Sequence, residues 1–432
     1  MQGLKELLRR FVVSLLTLEA RAVLKKYRPK IIVVTGSVGK TTTKDAVYTA
    51  LKGSSFIRRS EKSYNSDIGV PLTILGVPNG WNNPVRWIKN LSEGLLLIIM
   101  QAPYPKWLVM EVGADRPNDI KKLSWLAPQT VVATRFPDVS VHVEFYESPE
   151  AVIKEELAPV GWLQSGGVLI ANADDERAKN VVIAKGVRRV TYGFSKDAAV
   201  RASRLHMSVS KKMPSGMSFD IVYGDSHGHV VLAHVLGEQH ASAALAGIAV
   251  ALAAGVPLQN IIENFAEYEP PSGRMRLIAG MRGSMLIDDT YNSSPAAAEK
   301  ALQALAEAPR SGKRIAVLAD MLELGSFSVE EHHRIGTLTA QSADVLITTG
   351  VRARGIAKGA LEAGMKTEAV FECETGADAA GRLVSLIAEG DVALIKGSQS
   401  MRMERVVKSV MAEPAKAPNM LVRQDAEWVS RK

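Results

Sequence analysis

A short glycine-rich segment carries the clearest chemical signal in the sequence. It consists of Gly36, Ser37, Val38, Gly39, Lys40 and Thr41, with Thr42 following. Glycines let the backbone wrap closely around a phosphate, and a helix N-terminus adds partial positive charge. In such loops the lysine, here Lys40, reaches the β- and γ-phosphates, and the hydroxyl of Thr41 binds Mg²⁺. The segment predicts a nucleotide site but does not distinguish a hydrolase, a kinase and a ligase.

The elements around this loop predict an α/β fold. Apolar strand patterns alternate with helical patterns such as 41–51 and 149–163. The strand patterns cover 31–35, 107–111, 130–134 and 168–171. This alternation favours a parallel sheet with helices on both faces. Residues 197–236 show short alternating runs, which predict antiparallel strands appended to the same sheet.

A second α/β block follows the turn signal Pro270-Pro271-Ser272-Gly273. Its predicted strands are 285–288, 314–319, 344–348 and 392–396. The block looks Rossmann-like but lacks a Gly-x-Gly-x-x-Gly segment after its first strand, so a dinucleotide is not predicted. The predicted organisation is an N-terminal helix at 1–30, a central domain at 31–269 and a C-terminal domain at 270–432.

Composition narrows the partners. The net charge of +8 suits an anionic ligand or surface, and the absence of a long Lys/Arg run argues against nucleic acid. Cys373 is the only cysteine, so no internal disulfide forms and a reducing cytoplasm is expected.

Residues 1–27 combine basic side chains with an apolar stretch from Phe11 to Leu18. This stretch is much shorter than the roughly 20 residues of a membrane-spanning helix, so the segment is interpreted as an amphipathic helix. Two roles stay open: the helix packs on the protein's own body, or it contacts a membrane surface or a partner.

Nine ordered segments resemble motifs of the Mur ligase superfamily. They are the shortened loop TGSVGKTT, NSDIGVPL (65–72), EVGADRPND (111–119), HVE (142–144), NADD (172–175), GRM (273–275), DDTYNSSP (288–295), and DMLELG (320–325) with KGSQS (396–400). DMLELG and DDTYNSSP point to the branch of the family that adds D-alanyl-D-alanine.

The resemblance implies a central ATPase domain and a Rossmann-like domain that closes over it. It also implies ATP, Mg²⁺, a small-molecule carboxylate acceptor and an amine donor. ATP would phosphorylate the carboxylate, and the amine would then displace phosphate from the acyl phosphate. Catalytic roles are implied for Lys40, His142 and Arg274, and for Glu156 or Lys154. Cation ligands are implied at Thr41, Glu111 and His142.

The resemblance assigns further residues to the C-terminal half. Asn292 matches a residue that contacts the nucleotide base, and Arg274 is expected to reach the phosphates when the domains close. Asp320, Lys396 and Ser398 match positions that bind the incoming amino compound. Asp320 as a cap of the following segment and Lys396 as a solvated strand end are the structural alternatives.

The sequence departs from the family at three places. Where the family has a lysine that becomes carbamylated and helps to hold Mg²⁺, an ungapped alignment from His142 places Glu156, and Lys154 lies two residues early. We hypothesise that Glu156 supplies a permanent carboxylate there. The family's H-N-x-x-N segment reads Gln239-His240-Ala241-Ser242-Ala243, which leaves contacts from that helix in doubt. About 30 residues precede the loop, too few for the usual UDP-sugar-binding domain.

Three functions follow from these features. The first is ligation of D-alanyl-D-alanine, or a similar amino compound, to a muramyl peptide in cell-wall synthesis. The second is another ligase of the superfamily, of the folylpolyglutamate type or polymer-forming. The third is a non-catalytic nucleotide-binding partner subunit. The expected location is the cytoplasm, with residues 1–27 as a candidate contact to the inner face of the membrane.

Overall fold

The computed structural model describes residues 2–61 and 64–430, so position 1 of the predicted N-terminal segment and positions 431–432 of the predicted C-terminal domain lie outside the described residues. Two β-sheets organise the chain, one of nine strands and one of six. This arrangement confirms the predicted α/β class.

The first sheet carries the glycine-rich loop. Its strands are β1 (Lys30–Thr35), β2 (Ile57–Arg59), β3 (Trp107–Glu111), β4 (Thr130–Ala133), β5 (Val168–Asn172), β6 (Arg188–Gly193), β7 (Val200–Ser210), β8 (Met213–Tyr223) and β9 (Ser226–Ala233). Their order is β2-β3-β1-β4-β5-β6-β7-β8-β9. Pairing is parallel from β2 to β7 and antiparallel from β7 to β9, so the predicted appended strands are confirmed.

Helices cover both faces of this sheet. They are α1 (Gln2–Tyr27), α2 (Lys40–Leu51), α3 (Gly69–Leu75), α4 (Pro84–Ile99), α5 (Pro149–Leu157), α6 (Glu176–Asn180), α7 (Glu238–Ala253) and α8 (Leu258–Phe265). The predicted helix 149–163 ends as an α-helix at Leu157, because Pro159 provides no backbone N–H, and continues as a 3₁₀ turn. A Cβ on Gly247 of α7 would lie 2.7 Å from the backbone of Ala46, so only glycine permits this approach of α7 to α2.

The second sheet forms the C-terminal part. Its strands are β10 (Arg276–Ala279), β11 (Met285–Asp289), β12 (Arg314–Ala319), β13 (Val345–Thr349), β14 (Val370–Cys373) and β15 (Val392–Lys396), in the order β10-β11-β15-β12-β13-β14. Its helices are α9 (Pro295–Glu307), α10 (Ser328–Ser342), α11 (Arg354–Glu362), α12 (Gly376–Leu386), α13 (Glu404–Val410), α14 (Ala417–Met420) and α15 (Ala426–Val429). The change of sheet falls between Phe265 and Arg276; the domain bounds 31–269 and 270–432 stay a prediction.

The N-terminal helix α1 packs on the protein's own body. Leu16, Ala20 and Val23 are fully buried in the core beneath the first sheet. At its C-terminal end, Lys26 and Tyr27 donate hydrogen bonds to the main-chain carbonyl of Leu97 at the end of α4. Glu19, earlier on α1, lies against Gly94, earlier on α4, so the two helices run side by side in the same direction. No described helix is both long enough and apolar enough to cross a bilayer.

Glu19 lies at the contact between α1 and α4, and a Cβ on Gly94 would lie 2.2 Å from its Oε2. Burial raises the pKa of Glu19 from 4.5 to about 7, and Oε2 has no hydrogen-bond partner. Between pH 4.5 and 7 the folded protein therefore binds more protons here than the unfolded chain, and the stability contribution of Glu19 falls as the pH rises.

We expect Glu19→Gln to raise the melting temperature at pH 8 and to leave it unchanged near pH 4.5. Thermal unfolding of both proteins across this range checks the prediction; a gain that is equal at both pH values would contradict it.

Candidate active site

The glycine-rich loop lies at the carboxyl edge of the first sheet, directly after β1. Gly36 has φ +128°, and a Cβ there would lie 2.2 Å from Oγ1 of Thr134. Thr134 follows β4 and holds the loop in place, since its hydroxyl donates to the carbonyls of Thr35 at 3.0 Å and Val38 at 2.8 Å. The close approach of two strand ends thus explains why the loop needs glycine here.

Lys40 is the first residue of α2 and points back into the loop. Its Nζ donates to the carbonyls of Gly36 and Ser37, and lies 3.5 Å from Oε1 of Glu156. A lysine curled over its own loop in this way lies where the β- and γ-phosphates of a nucleotide bind.

Glu156, on α5, is buried beside the same loop. Its Oε2 accepts a hydrogen bond from the Ser37 hydroxyl, and its main-chain carbonyl accepts one from Thr35. Lys154 is two residues away on the same helix but is exposed to solvent. Of the two residues weighed from the alignment, the structure therefore brings Glu156 to the loop and leaves Lys154 outside.

Thr41 and Glu111 meet at the end of β3. The Thr41 hydroxyl donates to Oε2 of Glu111 at 2.9 Å, and both side chains are buried. Within residues 2–61 and 64–430, no group of three or more His, Cys, Asp or Glu side chains forms a cation site by itself. Hard oxygen donors of this kind fit Mg²⁺, which protein side chains usually hold through one or two carboxylates together with substrate phosphates.

His142 lies across the same cavity in a strained turn, with φ +68°. Its Nε2 is 3.5 Å from Asp115, and its Nδ1 pairs with Glu323 of the C-terminal part. The close contact with His142 lowers the pKa of Glu323. His142 therefore contacts carboxylates from both halves of the chain.

Residues from the C-terminal part close this cavity of about 400 Å³. The guanidinium of Arg274 lies 3.5 Å from the Thr41 hydroxyl and stacks 4.1 Å from the ring centre of Tyr291. Asn292 lines the same cavity together with the loop residues 37–41. Arg274 and Asn292 thus lie near the loop; their contacts with the phosphates and the nucleotide base stay predictions.

His240 holds the main chain of Arg274 in place. Its Nε2 donates to the main-chain carbonyl of Arg274 at 2.7 Å, and its Nδ1 lies 3.2 Å from the Tyr268 hydroxyl. Burial lowers the pKa of His240 to about 4, so this imidazole is neutral at pH 7.

We expect Arg274→Ala to raise the KM for the nucleotide about tenfold, because a half-buried charged donor beside the glycine-rich loop is lost. The expected change in kcat is smaller than that in KM if the arginine acts mainly in binding. Initial rates of ADP formation against nucleotide concentration measure both. The matched control is Arg282→Ala. Arg282 belongs to the C-terminal part, where it donates hydrogen bonds to the main-chain carbonyls of Val384 and Ile387. Equal KM values for the two variants would count against this role of Arg274.

The three residues predicted to bind an amino compound have internal partners. Asp320 accepts from the backbone N–H of Ala353 at 2.8 Å, and the Ser398 hydroxyl accepts from that of Leu322 at 2.8 Å. Lys396 is buried and donates to Asp289 at 2.6 Å. All three lie at carboxyl ends of β12 and β15, beside the DMLELG segment; their contact with a substrate stays a prediction.

A second cavity adjoins the loop on its other side and was largely missed by the sequence reasoning. Its lining includes Asn172, Tyr192, Phe194, Gln239 and Ser242. Gln239 Oε1 is buried without a hydrogen-bond partner, which leaves an acceptor for a ligand. The sequence signal for this cavity was the departure from H-N-x-x-N, because that segment places the polar side chains of Gln239 and Ser242 at the start of α7.

Two family models match the chain. The Mur ligase middle domain matches residues 90–251, and the Mur ligase glutamate ligase domain matches residues 273–399. The matched residues include β3–β9 of the first sheet and all six strands of the second. The strands β1 and β2 and the glycine-rich loop lie before the first match.

Named relatives agree with these matches. The UDP-N-acetylmuramoyl-tripeptide–D-alanyl-D-alanine ligase of Bacillus subtilis is 27% identical over 397 residues, which is 91% of this chain and 79% of that protein. MurF from Acinetobacter baumannii superposes with a TM-score of 0.74 at 23% identity, over 92% of this chain and 79% of that one. MurF ligase from Thermotoga maritima in complex with ADP gives a TM-score of 0.74 at 22% identity, over 92% and 83%. The two structures share the fold of this chain.

Proposed function

The chain belongs to the Mur ligase family, and from this premise we propose that it joins D-alanyl-D-alanine, or a similar amino compound, to a muramyl-peptide carboxylate at the expense of ATP. The observation that carries the proposal is the single cavity in which Lys40, Thr41 and Glu111 face Arg274 and Asn292 of the other half. An amide ligase needs such a cavity, because the phosphoryl group, the carboxylate and the amine must meet away from water.

The residues of the loop would bind and orient the nucleotide. Phosphoryl transfer depends mainly on positioning and on neutralising charge. Lys40 would exchange its main-chain partners in the loop for phosphate oxygens, and Arg274 would approach the same phosphates from the C-terminal side. The helix α2 begins at Lys40, so its N-terminal N–H groups point at the same place.

Mg²⁺ fits the oxygen donors at the edge of the cavity. Thr41 and Glu111 would hold it, His142 would contribute at a second position, and Glu156 would supply the negative charge that the family obtains from a carbamylated lysine. A bound cation would neutralise charge on the transferring phosphoryl group. Lys40 lies 3.5 Å from Glu156 and holds this carboxylate toward the loop.

The amino compound would approach from the C-terminal part. Asp320, Lys396 and Ser398 lie on strand ends there, and a carboxylate beside a lysine can recognise the ammonium and carboxylate ends of a dipeptide. The relatives that match at 27% identity, including that of Escherichia coli, carry D-alanyl-D-alanine in their names, which supports this choice of donor.

ATP is supplied in the cytoplasm, and we place the reaction there. We further propose that the N-terminal helix holds the enzyme at the inner face of the membrane.

The test is phosphate release from ATP and Mg²⁺, with UDP-N-acetylmuramoyl-tripeptide and D-alanyl-D-alanine added together or singly. We expect release to require both compounds, with the joined product detected by mass. Release that requires an amine but accepts a folate or a polymer instead of the muramyl peptide would move the assignment to another ligase of the family. Nucleotide binding without release under any of these conditions would favour a non-catalytic partner subunit.

A further inference from the structure

An apolar surface runs along the outer side of α1 and α4, and no described residue covers it. Its members are Leu7, Phe11 and Leu18 on α1 and Val85, Ile88, Leu95, Leu96, Ile99 and Met100 on or directly after α4, with exposed fractions from 51% to 74%. We call this set the outer apolar face. Single exposed apolar residues are ordinary on a protein surface, but six within residues 85–100 form a patch that marks an interaction site.

The helix α4 carries apolar side chains on its outward side as well as on its inward side, where Trp87, Leu91, Leu97 and Ile98 pack against the core. Its fully buried positions are Asn90 and Gly94. The side-chain amide of Asn90 donates a hydrogen bond to the main-chain carbonyl of Pro78 at 2.7 Å. A helix on an aqueous surface normally turns its polar side outward. On α4 the outward positions Val85, Ile88 and Ile99 are apolar, so this helix is built to face a non-aqueous partner.

The polar residues on this side do not oppose burial. The Ser92 hydroxyl donates to the main-chain carbonyl of Ile88 at 3.0 Å, so it needs no water. Lys89 lies beside Glu93 at 3.7 Å, and a lysine stem can lie along an apolar surface while its ammonium stays at the boundary.

Charge identifies the partner. The range Gln2–Tyr27 contains six basic and two acidic residues, and Pro84–Ile99 contains two basic and one acidic. The two helices therefore carry a net charge of +5, out of +8 for the whole chain. Two copies of so basic a helix pair would repel each other, whereas an anionic surface attracts it.

We propose that the outer apolar face docks this enzyme on an anionic phospholipid bilayer, with its apolar side chains at the boundary between headgroups and acyl chains and its basic side chains on lipid phosphates. The parallel packing of α1 and α4, fixed where Lys26 and Tyr27 bond the end of α4, holds the two helices as one unit. The inference rests on the membrane location proposed above but not on the ligase reaction, and lipid binding tests it without turnover.

The experiment is flotation of the full chain with vesicles of phosphatidylglycerol and phosphatidylcholine, or of phosphatidylcholine alone. We expect binding to the anionic vesicles, weakened by high salt because part of the attraction is electrostatic. Ile88→Glu and Ile99→Glu should each weaken binding about tenfold or more, since each places a carboxylate at the lipid boundary. Val182→Glu, at a residue 89% exposed outside both helices, is the matched control and should bind like the native chain.

Thermal unfolding and size exclusion accompany each variant. Because Ile88 and Ile99 are exposed, we expect unchanged melting temperatures, so lost binding reports on the surface and not on the fold. Equal binding to both kinds of vesicle, or native binding by Ile88→Glu, would overturn the proposal. A native dimer that Ile88→Glu separates would assign the face to a second copy of the chain instead. Failure of phosphate release with intact vesicle binding would refute the ligase reaction alone.

Discussion

Lys40→Met lowers the rate of ADP formation by about 10²–10³-fold, the usual loss when one preorganised donor to a developing charge is removed. Lys40 is the ammonium that lies within the glycine-rich loop, bonded to the carbonyl of Gly36. Methionine keeps the length and the apolar stem of the side chain while removing its charge. The measurement is the initial rate of ADP release with both substrates saturating.

Lys122→Met is the control for this variant, because Lys122 is an exposed lysine paired with Asp119 at 2.7 Å, away from the loop. It should retain the native rate. Loss of Lys40 also leaves the buried Glu156 carboxylate without its cation, so the melting temperature must be measured in parallel. A folded Lys40→Met enzyme that works within threefold of the native rate would exclude the phosphate-binding role.

Glu156→Gln is expected to lower the ligation rate about a hundredfold while preserving the fold, because glutamine keeps the shape and can still bond Ser37 but removes the charge. The native enzyme should be indifferent to bicarbonate, since a glutamate carboxylate needs no CO₂. Glu156→Lys should be inactive in CO₂-free buffer and regain activity with bicarbonate. An amine beside Lys40 loses its proton readily through like-charge repulsion, and the neutral amine then adds to CO₂ and releases a proton.

Lys154→Ala is the matched control on the same helix. Lys154 is exposed, so its removal should leave both the rate and the bicarbonate response unchanged. If Lys154→Ala lost the activity instead, or if bicarbonate stimulated the native enzyme, the functional carboxylate would be a carbamate on Lys154, and the assignment of Glu156 would be wrong. Mass spectrometry of the native chain for an added CO₂ supports the comparison.

The strands and the glycine-rich loop could be predicted from the sequence because their signals are local. Runs such as 107–111 and 314–319 are apolar apart from one charged residue at an end, Glu111 or Arg314, as is typical of strands buried on both faces, and the structure has them with the same bounds. The loop is set by glycines followed by Lys40 and Thr41, a pattern that has few structural alternatives.

Other features depend on contacts distant in sequence. No helix was predicted over 84–99, because apolar residues occur on both its sides and blur the helical period; α4 forms where α1 packs against it. Lining of the second cavity by Tyr192 and Phe194 likewise depends on how β6 lies beside α7. Neither the helix over 84–99 nor the lining of the second cavity can be predicted from a short stretch of sequence alone.

By itself the sequence determined the α/β class, the phosphate loop and the order of the family motifs, since each depends on neighbouring residues. Only the tertiary structure decided that Glu156, and not Lys154, faces Lys40, because one turn of α5 puts residues two apart on different sides of the helix. It also decided that α1 packs on the protein while its far side, together with α4, stays apolar and exposed. Burial of one face and exposure of another are properties of packing, which residue order alone does not specify.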